Sequence, residues 1–362
     1  FIVNTTVGGW QWSPSIAAFP DGSFVVAWKG PVWSESSNGG MSSSSGLLAQ
    51  VLSADGTKMG GEIALATKSF PLLPFQPVLE VLGASTAVLA WIRGPSDCCG
   101  VYDWGGVLRG AVFTAASEVV AEFTAPNPCG IWNDLEGVEK HPNISVLADG
   151  GFVLTWIRAE GHCPSEDRME WTERVHARHF SAEAQIIGPE FAISEKSAAI
   201  YSVSTAPLSE DVFVASWVST EDEDTTGTLR VGRFDSEGNK IGAPPNPDIS
   251  GKAIGWCSVA SSSAGEFVVV WTRRESDCEN AVYAQRFGAN AEQLEAAVRV
   301  NTYRLVSHRR PQVAVLESGG FVVLWEHCGN PPCLGPCWAG QDGEDIGIFA
   351  QRFDASGNKV YH

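Results

Sequence analysis

The most regular feature of the chain is a short alternation of apolar and polar residues that keeps returning and keeps ending on tryptophan. Six segments share it: "DGSFVVAW" closing at Trp28, "ASTAVLAW" at Trp91, "DGGFVLTW" at Trp156, "EDVFVASW" at Trp217, "AGEFVVVW" at Trp271 and "SGGFVVLW" at Trp325. Successive tryptophans are 63, 65, 61, 54 and 54 residues apart. A shorter alternating stretch comes before each run, as in "PSIAAF" (14–19), "PVLEVL" (77–82), "PNISVL" (142–147) and "PQVAVL" (311–316). After a variable loop comes a third stretch: "LLAQVL" (47–52), "LRGAVF" (108–113), "VHARHF" (175–180), "LRVGRF" (229–234), "VYAQRF" (282–287) and "IFAQRF" (348–353). A glycine-bearing turn such as "DASGNK" leads to a fourth, as in "EIALAT" (62–67), "EFAISE" (190–195) and "AVRVNT" (297–302). β-Branched and aromatic residues at period two, bounded by Gly, Asp, Asn and Pro, predict strands joined by hairpins. No segment of useful length carries the helical period.

The repeating unit is therefore a four-stranded antiparallel meander, A-B-C-D, and six copies predict an all-β, six-bladed β-propeller. The whole chain, 1–362, reads as one such domain, with repeats at 13–67, 76–125, 141–195, 201–250, 256–302 and 311–362 plus 1–6. The last repeat lacks a fourth strand, and "FIVNTT" at the start matches "VRVNT" at 298–302. The N-terminal strand is expected to pair beside 348–353, closing the ring and removing exposed edges. The six repeat tryptophans are expected in the core, with Phe113, Phe180, Phe234, Phe287, Phe353 and Leu52 as the partner layer.

The order "GGFVVxW…YAQRFD…EFxVNT" resembles a repeat found in tandem in large secreted bacterial proteins, often beside calcium-binding or adhesive modules. The resemblance covers essentially the whole chain and implies an extracellular propeller. It supplies no catalytic residues to transfer. Repeats 2 and 4 depart from it at strand C, and repeat 2 in its fourth strand.

Charge narrows the partners. Lys and Arg number 24 against 42 Asp and Glu, a net charge of −18, and no basic stripe is present. Such a chain is a poor nucleic-acid ligand. Its longest apolar runs are about five residues, far short of the roughly 20 of a membrane-spanning helix. The sequence starts at Phe1 without a leader, which reads as a mature or trimmed product. The sequons Asn4-Thr5-Thr6 and Asn143-Ile144-Ser145 fall in predicted strands and read as chance.

The unusual residues sort to one side. In this meander the B–C and D–A connections leave the sheet together, and all nine cysteines map to them. So do eight further tryptophans: Trp10, Trp12, Trp33, Trp104, Trp132, Trp171, Trp256 and Trp338. Cysteines in Gly/Pro-rich loops suit staples in an oxidising, secreted setting. Candidate disulfide residues are Cys129 with Cys163, Cys257 with Cys278, and Cys328 with Cys333 or Cys337. The adjacent Cys98 and Cys99 cannot easily bridge each other, so one of them is a candidate free or interchain thiol. Indole faces suit the C–H face of a sugar or a cation. Trp10, Trp12, Trp33, Trp104, Trp132, Trp171 and Trp338 are therefore the candidate ligand contacts.

Site chemistry is sparse. His141, His162, His308 and His327 lie near cysteines, but no tight pair of C-x2-C motifs supports zinc, and no metal or cofactor is expected. Calcium has a weak claim on the acidic runs Glu221-Asp222-Glu223-Asp224 and Asp342 with Glu344-Asp345, which read better as solvated loops. There is no G-x-S-x-G, H-E-x-x-H or phosphate loop. Strand A is mostly apolar, Glu80 excepted, which disfavours chemistry in a central channel. The sequence thus predicts a non-catalytic extracellular module that binds glycan or a partner protein. A self-associating structural subunit and a propeller hydrolase or lyase are the alternatives.

Overall fold

The computed structural model describes residues 2–5, 11–35, 41–66, 74–93, 107–116, 118–124, 136–165, 168–209, 211–220, 227–242, 252–276, 279–304, 307–328 and 346–360. Among them every regular element is a strand, and the sheets are built of antiparallel meanders in chain order. The chain divides into two compact units: Phe1–Val146, Gly150–Thr172 and His176–Glu190; and Leu147–Asp149, Glu173–Val175 and Phe191–His362.

The first unit is built on three four-stranded sheets. They are β1 (Trp12–Ala18) to β4 (Lys58–Ala66) through β2 (Phe24–Glu35) and β3 (Met41–Leu52); β5 (Pro74–Val81), β6 (Thr86–Arg93), β7 (Val107–Thr114) and β8 (Val119–Thr124); and β9 (Glu136–Val146), β10 (Phe152–Ser165), β11 (Arg168–Phe180) and β12 (Ile186–Ala192). The second unit opens with a three-stranded sheet of β13 (Ala199–Pro207), β14 (Val212–Thr220) and β15 (Thr228–Asp235). Its second sheet has eight strands: β16 (Lys252–Ser261), β17 (Phe267–Ser276), β18 (Glu279–Phe287), β19 (Val298–Arg299), β20 (Ser307–Val315), β21 (Phe321–Cys328), β22 (Ile346–Phe353) and β23 (Lys359–Val360). A single parallel bridge, Asn280 to Ser307, joins its two halves, so it is two meanders side by side.

Each meander buries the same side chains. Trp28, Trp91, Trp156, Trp217, Trp271 and Trp325 are all buried, as are the five strand-C phenylalanines and Leu52. Four of those phenylalanines, Phe180, Phe234, Phe287 and Phe353, stack on the phenylalanine that opens strand B rather than on the tryptophan. Phe152 meets Phe180 at 5.1 Å, Phe267 meets Phe287 at 4.9 Å and Phe321 meets Phe353 at 4.4 Å. The last two pairs sit directly opposite in register, the arrangement in which cross-strand aromatics gain most. The indole N–H groups of Trp28, Trp156, Trp271 and Trp325 are buried with no acceptor among the described residues. Each forgone bond costs about 1–3 kcal/mol, which the large burial of the ring outweighs.

Sheets within a unit are coupled through their first strands. The Leu79 amide of β5 donates to Ser15 Oγ of β1 at 3.1 Å. On β16, the Cys257 amide donates to Ser202 Oγ at 3.0 Å and the Val259 amide to Ser204 Oγ at 3.1 Å. Beneath these bonds Leu79 and Ile144 are buried against the sheet that precedes each. Ile16, at the matching place on β1, is 65% exposed. In the second unit Val270 and Val282 are covered by the β20–β22 half, whereas Leu324 and Ile348, their counterparts on β21 and β22, are exposed.

The N-terminal strand departs from expectation. Residues 2–5 form no strand. The Lys58 ammonium donates to the Asn4 carbonyl at 3.1 Å, and the Thr5 amide donates to the Glu62 carboxylate, which sets this segment against β4. The fourth strand of the last meander is β23, which pairs Lys359 with Phe353 and Val360 with Arg352. The reason is local. Asp354 Oδ1 accepts from the Ser356 and Asn358 amides, and Gly357 supplies a φ of +80°, so a short hairpin closes the edge.

Candidate functional site

The first strand of every meander is interrupted at the same place. Register breaks fall between Trp12 and Ser15, Phe75 and Val78, Lys140 and Asn143, Ile200 and Ser202, Ala253 and Cys257, and Arg309 and Gln312. Four of the six bulges hold a residue in the left-handed region: Ser13 at φ 51°, His141 at 51°, Gly255 at 76° and Arg310 at 50°. Ser13, His141 and Arg310 each precede a proline, which disfavours the α conformation still further. Such residues cost about 1–3 kcal/mol each and gather at functional sites, and bulges re-aim side chains there.

In the first unit the chemistry is a contrast of two carboxylates. Glu80 lies on β5, whose neighbours are β1 and β9. It reaches solvent, yet protein crowds it closely enough that desolvation pushes its carboxyl up to about 7. It has no ion-pair or hydrogen-bond partner among the described residues. A carboxyl of this kind carries a proton near neutrality and can donate it. Glu190 on β12 is the opposite case. Burial opposes its charge, but His176 Nδ1 at 2.7 Å and a bidentate Arg158 at 2.5 and 3.1 Å hold it down at about 2. Trp156 stacks on His176. Glu190 is thus a fixed anion that fastens β10, β11 and β12.

In the second unit the bulge on β20 presents Arg309 and Arg310 to one carboxylate. Glu326 of β21 accepts from Arg309 Nε at 3.2 Å and from Arg310 Nη1 at 3.1 Å. The Arg310 guanidinium also stands 5.5 Å over the Trp256 ring. Behind them His308 and His327 are buried. Burial and the neighbouring His327 hold the His308 imidazole down at about 4, so it is neutral.

The expected ligand contacts are placed only in part. Trp12 is half exposed, with the Lys29 ammonium 4.9 Å from its ring centre. Trp33 and Trp171 lie on β2 and β11. Trp10, Trp104, Trp132 and Trp338 lie outside the described residues, as do Cys98, Cys99, Cys129, Cys278, Cys333, Cys337 and both acidic runs. Cys163 and Cys328 lie on β10 and β21. Cys257 corrects one expectation: it is a free, buried thiol, not half of a disulfide. Its sulfur points into the sheet of β13 and β14, 3.4 Å from Ser202 Oγ and 3.6 Å from Ser216 Oγ, and burial pushes the thiol up to about 11. The sequence reading missed Arg310, Glu326 and Glu190 as partners. Proline after Ser13, His141 and Arg310 was the available signal for the bulges. The described residues contain no cluster of three metal-ligating side chains, and no described helix is long and apolar enough to cross a membrane.

No family model matches the chain, and no curated protein matches it. Solved structures do. The α-L-arabinofuranosidase of Fusarium graminearum in complex with arabinobiose is 12% identical, with a TM-score of 0.52 over 96% of this chain and 93% of its own. The α-L-arabinanase of Penicillium chrysogenum complexed with arabinobiose is 11% identical, with a TM-score of 0.50 over 95% and 93%. A Hadza microbial sialidase is 9% identical, with a TM-score of 0.51 over 94% of this chain and 65% of its own. At these identities the likeness is one of fold, and the fold is β-propeller-like. These three neighbours are glycosidases, a finding that counts against the non-catalytic recognition module predicted from sequence.

Proposed function

We propose that the chain is a propeller glycoside hydrolase, with arabinose-containing glycans as the first substrates to try. The observation that carries the reading is Glu80. Glycoside hydrolysis needs one carboxylic acid that stays protonated near neutrality to protonate the leaving oxygen, and a second carboxylate nearby. Glu80 has the first property, and among the described residues no structural partner explains it otherwise. The arabinanase-like and sialidase-like neighbours support the substrate class. Candidate indoles such as Trp12 then serve as sugar-stacking contacts, and a glycan substrate suits a secreted setting. The test is hydrolysis of aryl α-L-arabinofuranosides, arabinan and a sialyl glycoside by the purified chain and by Glu80→Gln. Loss of about 10²- to 10⁴-fold in the variant is expected for a general acid. No turnover of any of the three by the wild type, or full activity in the variant, overturns the reading.

We also propose that the chain is a six-bladed propeller, one four-stranded blade for each of the six repeat tryptophans.

A further inference from the structure

We propose that His308 and His327 form a two-imidazole site for a borderline transition-metal ion such as Zn2+. The proposal rests on the β20–β21 ladder and is independent of the glycosidase reading. His308 and His327 are directly opposite in register, so their side chains leave the same face of neighbouring strands. Both are buried, and their Nδ1 atoms face each other at 3.4 Å.

The hydrogen-bond pattern fixes which atom is basic. His308 Nε2 lies 3.2 Å from the Tyr303 carbonyl oxygen. A carbonyl only accepts, so Nε2 carries the proton, and the neutral ring turns an Nδ1 lone pair toward His327. That carbonyl is itself held. Asn301 Nδ2 donates to it at 2.7 Å and Arg299 Nη2 at 3.3 Å, while Asn301 Oδ1 accepts the Val282 amide at 2.9 Å. Ring orientation by a fixed backbone carbonyl on the far nitrogen is the arrangement that supports metal-bound histidines. Tyr303 and Phe349 meet His327 edge-on at 5.7 and 5.0 Å, which limits its rotation.

The spacing itself argues for a cation. A proton shared between two nitrogens 3.4 Å apart makes a long, weak hydrogen bond, since such bonds run to about 3.2 Å. Two nitrogens each about 2.0–2.1 Å from one tetrahedral ion are about 3.3–3.4 Å apart. Binding moves the bridging proton of His327 from Nδ1 to Nε2, so both rings stay neutral, and puts the ion in its place. The two imidazoles supply half of a tetrahedral shell.

The test is calorimetric titration of the metal-stripped protein with ZnCl2, with Co2+ absorption as a second readout. One ion per chain is expected, with visible d–d bands in the Co2+ form. His308→Gln and His327→Gln should each weaken binding at least tenfold. Asn301→Ala, which frees the orienting carbonyl, should weaken it by about 10- to 100-fold. Should the histidine variants fail to fold, nitrogen NMR of the wild type decides: zinc must shift the two Nδ1 resonances together. No stoichiometric binding, binding unchanged in both histidine variants, or binding lost only on alkylation of the cysteines overturns the assignment.

Discussion

Glu80 and Glu190 lie in the same unit, on the first strand of one sheet and the last strand of the next in chain order, and their carboxyls are driven in opposite directions. Both meet desolvation. Glu190 answers it with a bidentate arginine and a histidine and stays ionised down to about 2. Glu80 has no answering cation and holds its proton up to about 7. Desolvation with an answering cation thus fixes a structural anion, whereas desolvation without one leaves a carboxyl that keeps its proton.

The contrast is broken most severely by exchanging roles. Glu80→Gln should cut turnover at least a hundredfold and leave the fold intact. Glu190→Gln should lower unfolding free energy by about 3 kcal/mol, because a shift from 4.5 to about 2 carries that much linkage, with turnover per folded molecule within about twofold. A chemical melt and a rate assay on the same preparations check both. The pH dependences should also be opposed. Glu190 has a depressed pKa, so its contribution is present above 4.5 and is lost as pH falls toward 2. Glu80 has a raised pKa, so the folded state loses ground as pH rises from 4.5 through 7, where the unfolded chain has already released that proton. Melting temperatures of wild type and each variant across pH 2–8 should diverge at opposite ends. Smaller effects sharpen the boundary between structure and site. Ser204→Ala should cost about 1 kcal/mol for one amide bond between first strands. Cys257→Ala should alter stability about as little, and the native thiol, held at about 11, should resist thiol reagents until the protein unfolds.

Much of this architecture is legible in the residues. Trp271 and Phe287 sit where the alternation puts them: Phe267, Val269 and Trp271 share one face of β17, while Val268 and Val270 fill the other. The stacking partner was not legible. Phe267 and Phe287 are opposite only in the register that the hairpin sets, and hairpin register lies in turn geometry rather than in apolar pattern. The N-terminal segment shows the limit of likeness between stretches: "FIVNTT" resembles a fourth strand, but a five-residue hairpin reaches the same edge with far less chain to order. The side-chain clusters were hardest to see. Arg158, His176 and Glu190 are up to 32 residues apart, and nothing in any one of them announces the other two. Cys257 was misjudged because a cysteine in a first strand can face the preceding sheet, where two serines already wait.

The serine hydroxyls on the first strands have a consequence for how such a chain grows. Ser15, Ser202 and Ser204 fasten one sheet to the next through single side chains, not through a shared ladder. A duplicated meander can thus dock as a cassette without re-registering its neighbour's backbone. Copies can then drift in loop length and loop chemistry while the docking of one on the next stays pinned by a hydroxyl.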